Sequence, residues 1–139
     1  MTAGLGYEEV GITTDRGFVL TSDRLETNVP GVYAIGDIVP GLQLAHRSFQ
    51  QGIFAAEQIA GLNPVIIEDV NIPKVTYSDP EVASIGLSEA KAAEKYGADQ
   101  IAIVDYNLAG NGKSHIIGTS GLVKVVRVKE GPVVGVHMI

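Results

Sequence analysis

The run Val32-Tyr33-Ala34-Ile35 stops at Gly36-Asp37, and from Leu42 to Gly61 the chain carries apolar residues at Leu42, Ala45, Phe49, Ile53, Ala56 and Ala60. Those positions step by 3, 4, 4, 3 and 4, which is the stripe of an amphipathic helix. Gly61 supplies a C-terminal stop and Pro64 follows it. The run before Gly36-Asp37 is too short for a helix and predicts a buried strand that ends at a tight turn. Strand, Gly-Asp turn and helix in that order constrain the chain more than any other feature. Such a turn sets a carboxylate beside a helix N-terminus, whose unpaired N–H groups carry partial positive charge. That is a binding geometry.

The flanks read differently. Residues 1–31 are rich in Gly, Thr and Asp, and their best-supported element is a short strand over Phe18 to Thr21, entered through the turn Asp15-Arg16-Gly17. Two prolines and the acidic pair Glu68-Asp69 between Asn63 and Pro73 place a domain boundary there, dividing the chain into 1–67 and 68–139. Beyond it, Lys74 to Tyr77 predicts a strand. Ser88 is an N-cap for a short helix through Ala90, Ala92, Ala93 and Tyr96 that Gly97 ends. Ile101 to Tyr106 and Leu122 to Val128 predict strands joined by a loop over Ala109-Gly110-Asn111-Gly112-Lys113. Glu130-Gly131 turns into a last strand, Val133 to Ile139. The second part is therefore α+β. Its final strand is apolar with no polar exit, so the chain is expected to be cut in mid-domain, with that strand left as an unpaired edge that templates association.

Composition removes several function classes. Ten Lys and Arg against sixteen Asp and Glu leave a net charge of -6, which opposes a nucleic-acid or anionic-membrane surface. At 45% apolar and 19% charged residues the chain has material for a core. It has no cysteine, hence no disulfide, thiolate metal site or thiol nucleophile of its own. No apolar run approaches the roughly 20 residues of a membrane span, and the N-terminus carries no export signal, so a soluble, cytoplasmic protein is expected.

Gly110-Asn111-Gly112-Lys113-Ser114 imitates a phosphate loop, but the position of the first required Gly is Asn107, and the segment is expected to join strands without opening a helix. His46, His115 and His137 lie far apart without partners at ligand spacing, so no metal site is expected. His46 alone stands out, in the first turn of the helix after Gly36-Asp37. Asp37 is the strongest candidate. An Asx-turn or helix cap is its ordinary role, yet it precedes the helix stripe by five residues, which leaves room for a ligand between carboxylate and helix.

The stretch from Thr27 to Asp37, Thr-Asn-Val-Pro-Gly-Val-Tyr-Ala-Ile-Gly-Asp, resembles the second flavin-binding signature of the flavoprotein reductases built on two dinucleotide domains. Leu42-Gln43-Leu44-Ala45-His46 is similar to the segment that meets the flavin ring in lipoamide dehydrogenases. The run from Val75 to Glu89 resembles the start of their dimer-interface domain, and Tyr106 to Ser114 resembles bacterial, especially actinobacterial, members. The likeness extends from about Leu5 to Ile139.

The resemblance implies an α/β fold joined to an α+β one. Residues 1–67 would be the C-terminal part of an FAD-binding Rossmann-like domain, and 68–139 an incomplete dimer-interface domain. It implies oxidation of dihydrolipoamide with FAD as cofactor and NAD as co-substrate, in a homodimer that serves the lipoyl domains of 2-oxo acid dehydrogenase complexes. Gly36 and Asp37 would meet the ribityl chain, and backbone N–H groups at Leu44, Ala45 and His46 the N1/O2 edge of the isoalloxazine, where a helix N-terminus stabilises the charge that reduction brings. The family's Gly-x-Gly-x-x-Gly, redox Cys pair, NAD domain and catalytic His segment have no match here. The segment is thus read as an internal fragment without catalytic residues, inactive alone and not holding either cofactor tightly. Another disulfide or mercuric reductase, or a non-catalytic dimerisation module, are the alternatives.

Overall fold

Arg16 and Gly17, both at positive φ, turn the chain between two short antiparallel strands, β1 (Thr14–Asp15) and β2 (Phe18–Val19). In the computed structural model, which describes residues 2 and 4–139, this hairpin belongs to the first of two units, Met1–Asp69 and Val70–Ile139. Val19 packs with Ala34 and Val39 in a small core, against which Tyr7, Ile12 and Ile38 rest.

Val32 to Ile35 is not the predicted strand. It pairs through one isolated bridge, Glu26 with Tyr33, supported by Thr27 N–H to Val32 O (2.8 Å) and Ala34 N–H to Leu25 O (3.0 Å). A ladder needs successive pairs along a neighbour, and the Leu25–Thr27 segment supplies only this short stretch. The backbone then tightens into a 3-10 turn at Gly36–Ile38.

Helix α1 spans Ala45–Ile59, inside the predicted limits, but its buried face is not the predicted stripe. Phe49 is 70% and Ile53 54% exposed, and Ala45, Ala56 and Ala60 are exposed as well. The residues turned inward are Arg47, Gln51, Phe54 and Ala55, which share one face at helical spacing. The physical reason is that the neighbouring loop presents backbone N–H and C=O groups that need partners when buried, and Arg47 and Gln51 supply them.

The second unit is an antiparallel sheet in the order β3 (Lys74–Thr76), β4 (Val82–Gly86), β7 (Val133–Met138), β6 (Leu122–Val128), β5 (Ile101–Asn107). Strand β4 was not anticipated. Helix α2 (Glu89–Tyr96) forms as expected: the Ser88 side chain accepts from Lys91 N–H at 3.3 Å, and Gly97 at φ 94 stops it. It packs on β5 and β6, where Ala92 and Val126 have no exposed surface. On the same sheet face Lys124 Nζ lies 2.8 Å from Glu89 Oε2 and 3.8 Å from Asp105 Oδ1. The bond to Glu89 above all holds the Lys124 ammonium above the usual lysine value of 10.5, so the pair's contribution is present below that pH and fades as pH rises through the raised value.

Two further segments differ from the sequence-based expectation. Gly112–Ile117 is a short helix, α3, because the Asn111 side chain caps it by accepting from Lys113 and Ser114 N–H. The Gly-Asn-Gly-Lys segment does open a helix, and only the Asn107 mismatch still speaks against a phosphate loop. Strand β7 is not an unpaired edge. It lies between β4 and β6, with Val136 paired to Ile85 on one side and Val125 on the other. The last strand in sequence takes the middle place in the sheet, and the edges fall to β3 and β5.

Amide hydrogen exchange checks this order. The Val134–His137 amides are expected to be as protected as those of β6, and exchange at solvent-like rates there would contradict it. Val126→Ala is expected to destabilise the second unit by about 2 kcal/mol through lost burial and cavity formation, read as a lowered melting midpoint.

Candidate functional site

Gly36 has φ +76, a conformation that side chains other than glycine's disfavour. A Cβ there would also stand 3.2 Å from Ser48 Oγ on α1. Its N–H donates to Gln51 Oε1 at 2.7 Å in a buried bond, and its carbonyl accepts from Val39 N–H at 3.2 Å. Gln51 is only 3% exposed. The turn is therefore pinned to α1 directly before Asp37.

Asp37 itself is exposed. It caps neither helix: the N-cap of the 3-10 turn is Ile35 and that of α1 is Leu44. The Asp37 carbonyl accepts weakly from Gln43 Nε2 at 3.5 Å. Its carboxylate thus stands on a turn whose shape is set by other groups.

The next stretch, Pro40 to Leu42, is held by Arg47, which is 5% exposed. The guanidinium donates from Nη2 to Pro40 O at 2.8 Å, from Nη1 to Leu42 O at 3.2 Å and from Nε to Asp69 Oδ1 at 2.7 Å. Few side chains can do this, because the planar fork places several donors in fixed directions. Gly41, at φ +119, lies so close that any Cβ would collide with the guanidinium and the Asp69 carboxylate. Arg47, Asp69, Val39, Pro40, Phe54 and Ser22 line a cleft of about 290 Å³ in the same unit.

Leu44 enters α1 in an extended conformation with no side-chain cap, and its own N–H donates to Leu42 O at 3.2 Å. Ala45 and His46 follow as exposed residues of the first turn. The five residues singled out from sequence, Gly36, Asp37, Leu44, Ala45 and His46, thus fall on one turn and on the start of the helix to which that turn is bonded. The Leu44 N–H differs from expectation in being already engaged. At the other end of α1, Arg24 donates to Gln58 Oε1 and to Asn63 Oδ1 (3.0 Å) and lies 5.5 Å from the centre of the Phe54 ring.

Sequence reasoning missed Arg47 and Gln51. The available signal was their i, i+4 spacing opposite an apolar stripe, which marks two polar residues on one helix face. His115 and His137 belong to the second unit, where His137 Nε2 lies 3.0 Å from Leu87 O. Among the described residues no group of His, Asp or Glu is arranged to hold a metal ion, and no helix is long and apolar enough to cross a membrane.

Residues 2–52 match the family model for pyridine nucleotide-disulphide oxidoreductases, and residues 72–139 match the model for the dimerisation domain of the same enzymes. The chain belongs to the pyridine nucleotide-disulphide oxidoreductase family. Among its relatives is a dihydrolipoyl dehydrogenase of Bacillus subtilis, 45% identical over 140 residues that cover 99% of this chain and 29% of that protein. A dihydrolipoyl dehydrogenase of Corynebacterium glutamicum is 39% identical, over 98% of this chain and 30% of its own length. The solved structure of LpdA from Mycobacterium tuberculosis superposes with a TM-score of 0.86 at 26% identity, covering 99% of this chain and 30% of that one. The chain spans under a third of the length of these relatives.

Arg47→Met is expected to cost about 1–3 kcal/mol, because the part-buried Pro40 and Leu42 carbonyls lose charge-assisted donors, while the half-exposed Asp69 recovers part of its loss from water. Arg47→Lys should recover less than half of that, since an ammonium cannot reproduce the fork. Thermal melts of both variants check it; a lysine variant as stable as the parent would contradict the three-way role of the guanidinium.

Proposed function

We propose that the chain contributes the ribityl-contacting turn and part of the subunit interface of an FAD-dependent dihydrolipoyl dehydrogenase. The observation that carries this reading is the exposed Asp37 carboxylate on a turn whose flanks are bonded to α1. It is supported by the names of the relatives and by the two matched family models.

The residues present fit the flavin. Asp37 would accept a hydrogen bond from a ribityl hydroxyl, and the glycine backbone at Gly36 lets the turn run close to α1. The uncapped start of α1 at Leu44, Ala45 and His46 would present its dipole to the flavin edge that gains negative charge on reduction. The Leu44 N–H is already shared with Leu42 O. When bound, FAD supplies a two-electron carrier between a dithiol and NAD. This chain's own residues bind and orient; none of them is assigned to the chemistry.

In this reading residues 1–67 belong to the FAD-binding part and 68–139 to the interface. The protein works in the cytoplasm as a homodimer and oxidises the dihydrolipoyl groups of 2-oxo acid dehydrogenase complexes, with NAD as acceptor. The exposed Val104 and Tyr106 on edge strand β5 favour association through the second unit. Sedimentation at tens of micromolar is expected to return a dimer or larger assembly, and a clean monomer would contradict it.

The flavin role is tested in a hybrid holoenzyme in which residues 2–139 replace the matching segment of the Bacillus subtilis relative. Asp37→Ala should lower FAD affinity about 10- to 100-fold, as expected for loss of a charge-assisted hydrogen bond. Asp37→Asn should lose less, because an amide oxygen still accepts. Intact FAD affinity with a lowered apoprotein melting point would assign Asp37 to the turn alone.

A further inference from the structure

We propose that Gln51 is a positioning residue that presets the Asp37 turn for its ligand, so that the carboxylate meets the ribityl hydroxyl without the loop having to reorganise. The inference rests on the flavin reading of Asp37. It adds a residue that is 3% exposed, borders the cleft lined by Arg47 and Asp69, and has its Oε1 occupied by the Gly36 N–H at 2.7 Å.

The argument begins with the backbone. Gly36 adopts φ +76, one of several basins open to glycine, so the residue alone does not fix the direction in which Asp37 leaves the turn. One bond to its N–H does. That N–H is buried, and without a partner it would either pay the full desolvation cost or rotate toward water. Rotation of the Ile35–Gly36 peptide changes the approach of Asp37 directly. Gln51 is well suited to prevent it, because α1 is anchored independently: Arg47, one turn earlier on the same face, ties it to Pro40, Leu42 and Asp69, and Arg24 ties its far end through Gln58. The acceptor is therefore held on a rigid element and the flexible partner is the turn. A preset turn spares ligand binding the cost of ordering it.

The test separates this role from simple stability and from the flavin reading. In the intact 15N-labelled chain, Gln51→Met removes the acceptor at similar volume, and Gln51→Glu keeps an oxygen at that position. Amide exchange at Gly36 is expected to accelerate about 10- to 100-fold in the Met variant relative to Val126, and to stay near the parent rate in the Glu variant. In the hybrid holoenzyme the Met variant should also lose FAD affinity several-fold, with rescue by Glu. Should Gln51→Met fail to fold, Gln51→Asn, a methylene short of Gly36, takes its place in both arms. Unchanged exchange at Gly36 overturns the proposal, as does faster exchange with unchanged FAD affinity in a protein whose Asp37→Ala form does lose FAD. If Asp37→Ala leaves FAD affinity intact, the flavin reading falls, and the role of Gln51 toward that ligand falls with it.

Discussion

The inward face of α1 carries Arg47 and Gln51 beside Phe54 and Ala55, where a helix of this composition would ordinarily be apolar throughout, and the first unit is organised around that fact. Arg47 and Gln51 stand one turn apart and between them bond Gly36, Pro40, Leu42 and Asp69. A loop in this position must bury backbone groups, and buried backbone groups need partners. A guanidinium with several fixed donors and an amide oxygen meet that need with two side chains. Gly36 and Gly41 complete the arrangement, since each lies where a Cβ would crowd α1 or the Arg47–Asp69 pair.

This division of labour explains why Asp37 is available. Carboxylates in Gly-Asp turns often serve the turn itself by accepting from nearby N–H groups. Here the adjacent N–H is satisfied by Gln51, and both helix caps are other residues. The acidic side chain is left exposed beside a helix start without a side-chain cap. The turn and loop are held by buried neutral and cationic groups, and the anion is left exposed. The second unit follows a different economy, in which Val126 and Ala92 close a small apolar contact beneath α2 and the strands do the rest.

How much of this was legible in the sequence depended on whether the signal was local. The start and stop of α2 were readable because Ser88 and Gly97 act on residues a few positions away. The hairpin at Asp15-Arg16-Gly17 and the strands β5 and β6 were readable for the same reason. The orientation of α1 was not, because apolar periodicity shows that two faces differ and does not say which one meets the loop. Strand β4, five residues of mixed size that include Ala83, Ser84 and Gly86, has little pattern of its own and is defined by pairing with β3 and β7. The place of β7 in the sheet is likewise non-local. The five candidate residues fall on one turn and one helix start because these are adjacent in sequence; Gln51, whose bond to Gly36 spans 15 residues, left no such local signal.

The central claim is that the turn at Asp37 and the start of α1 form one ligand-contacting surface, prepared by the polar face of the helix. Mapping 15N chemical-shift changes on the intact chain as FAD is added up to millimolar concentration tests it most directly, because weak binding suffices. The account predicts saturable shifts clustered at Asp37, Ala45 and His46, with Gly110 to Ser114 unmoved. Shifts confined to the second unit, or none across residues 36–46 at saturation of the titration range, would contradict it.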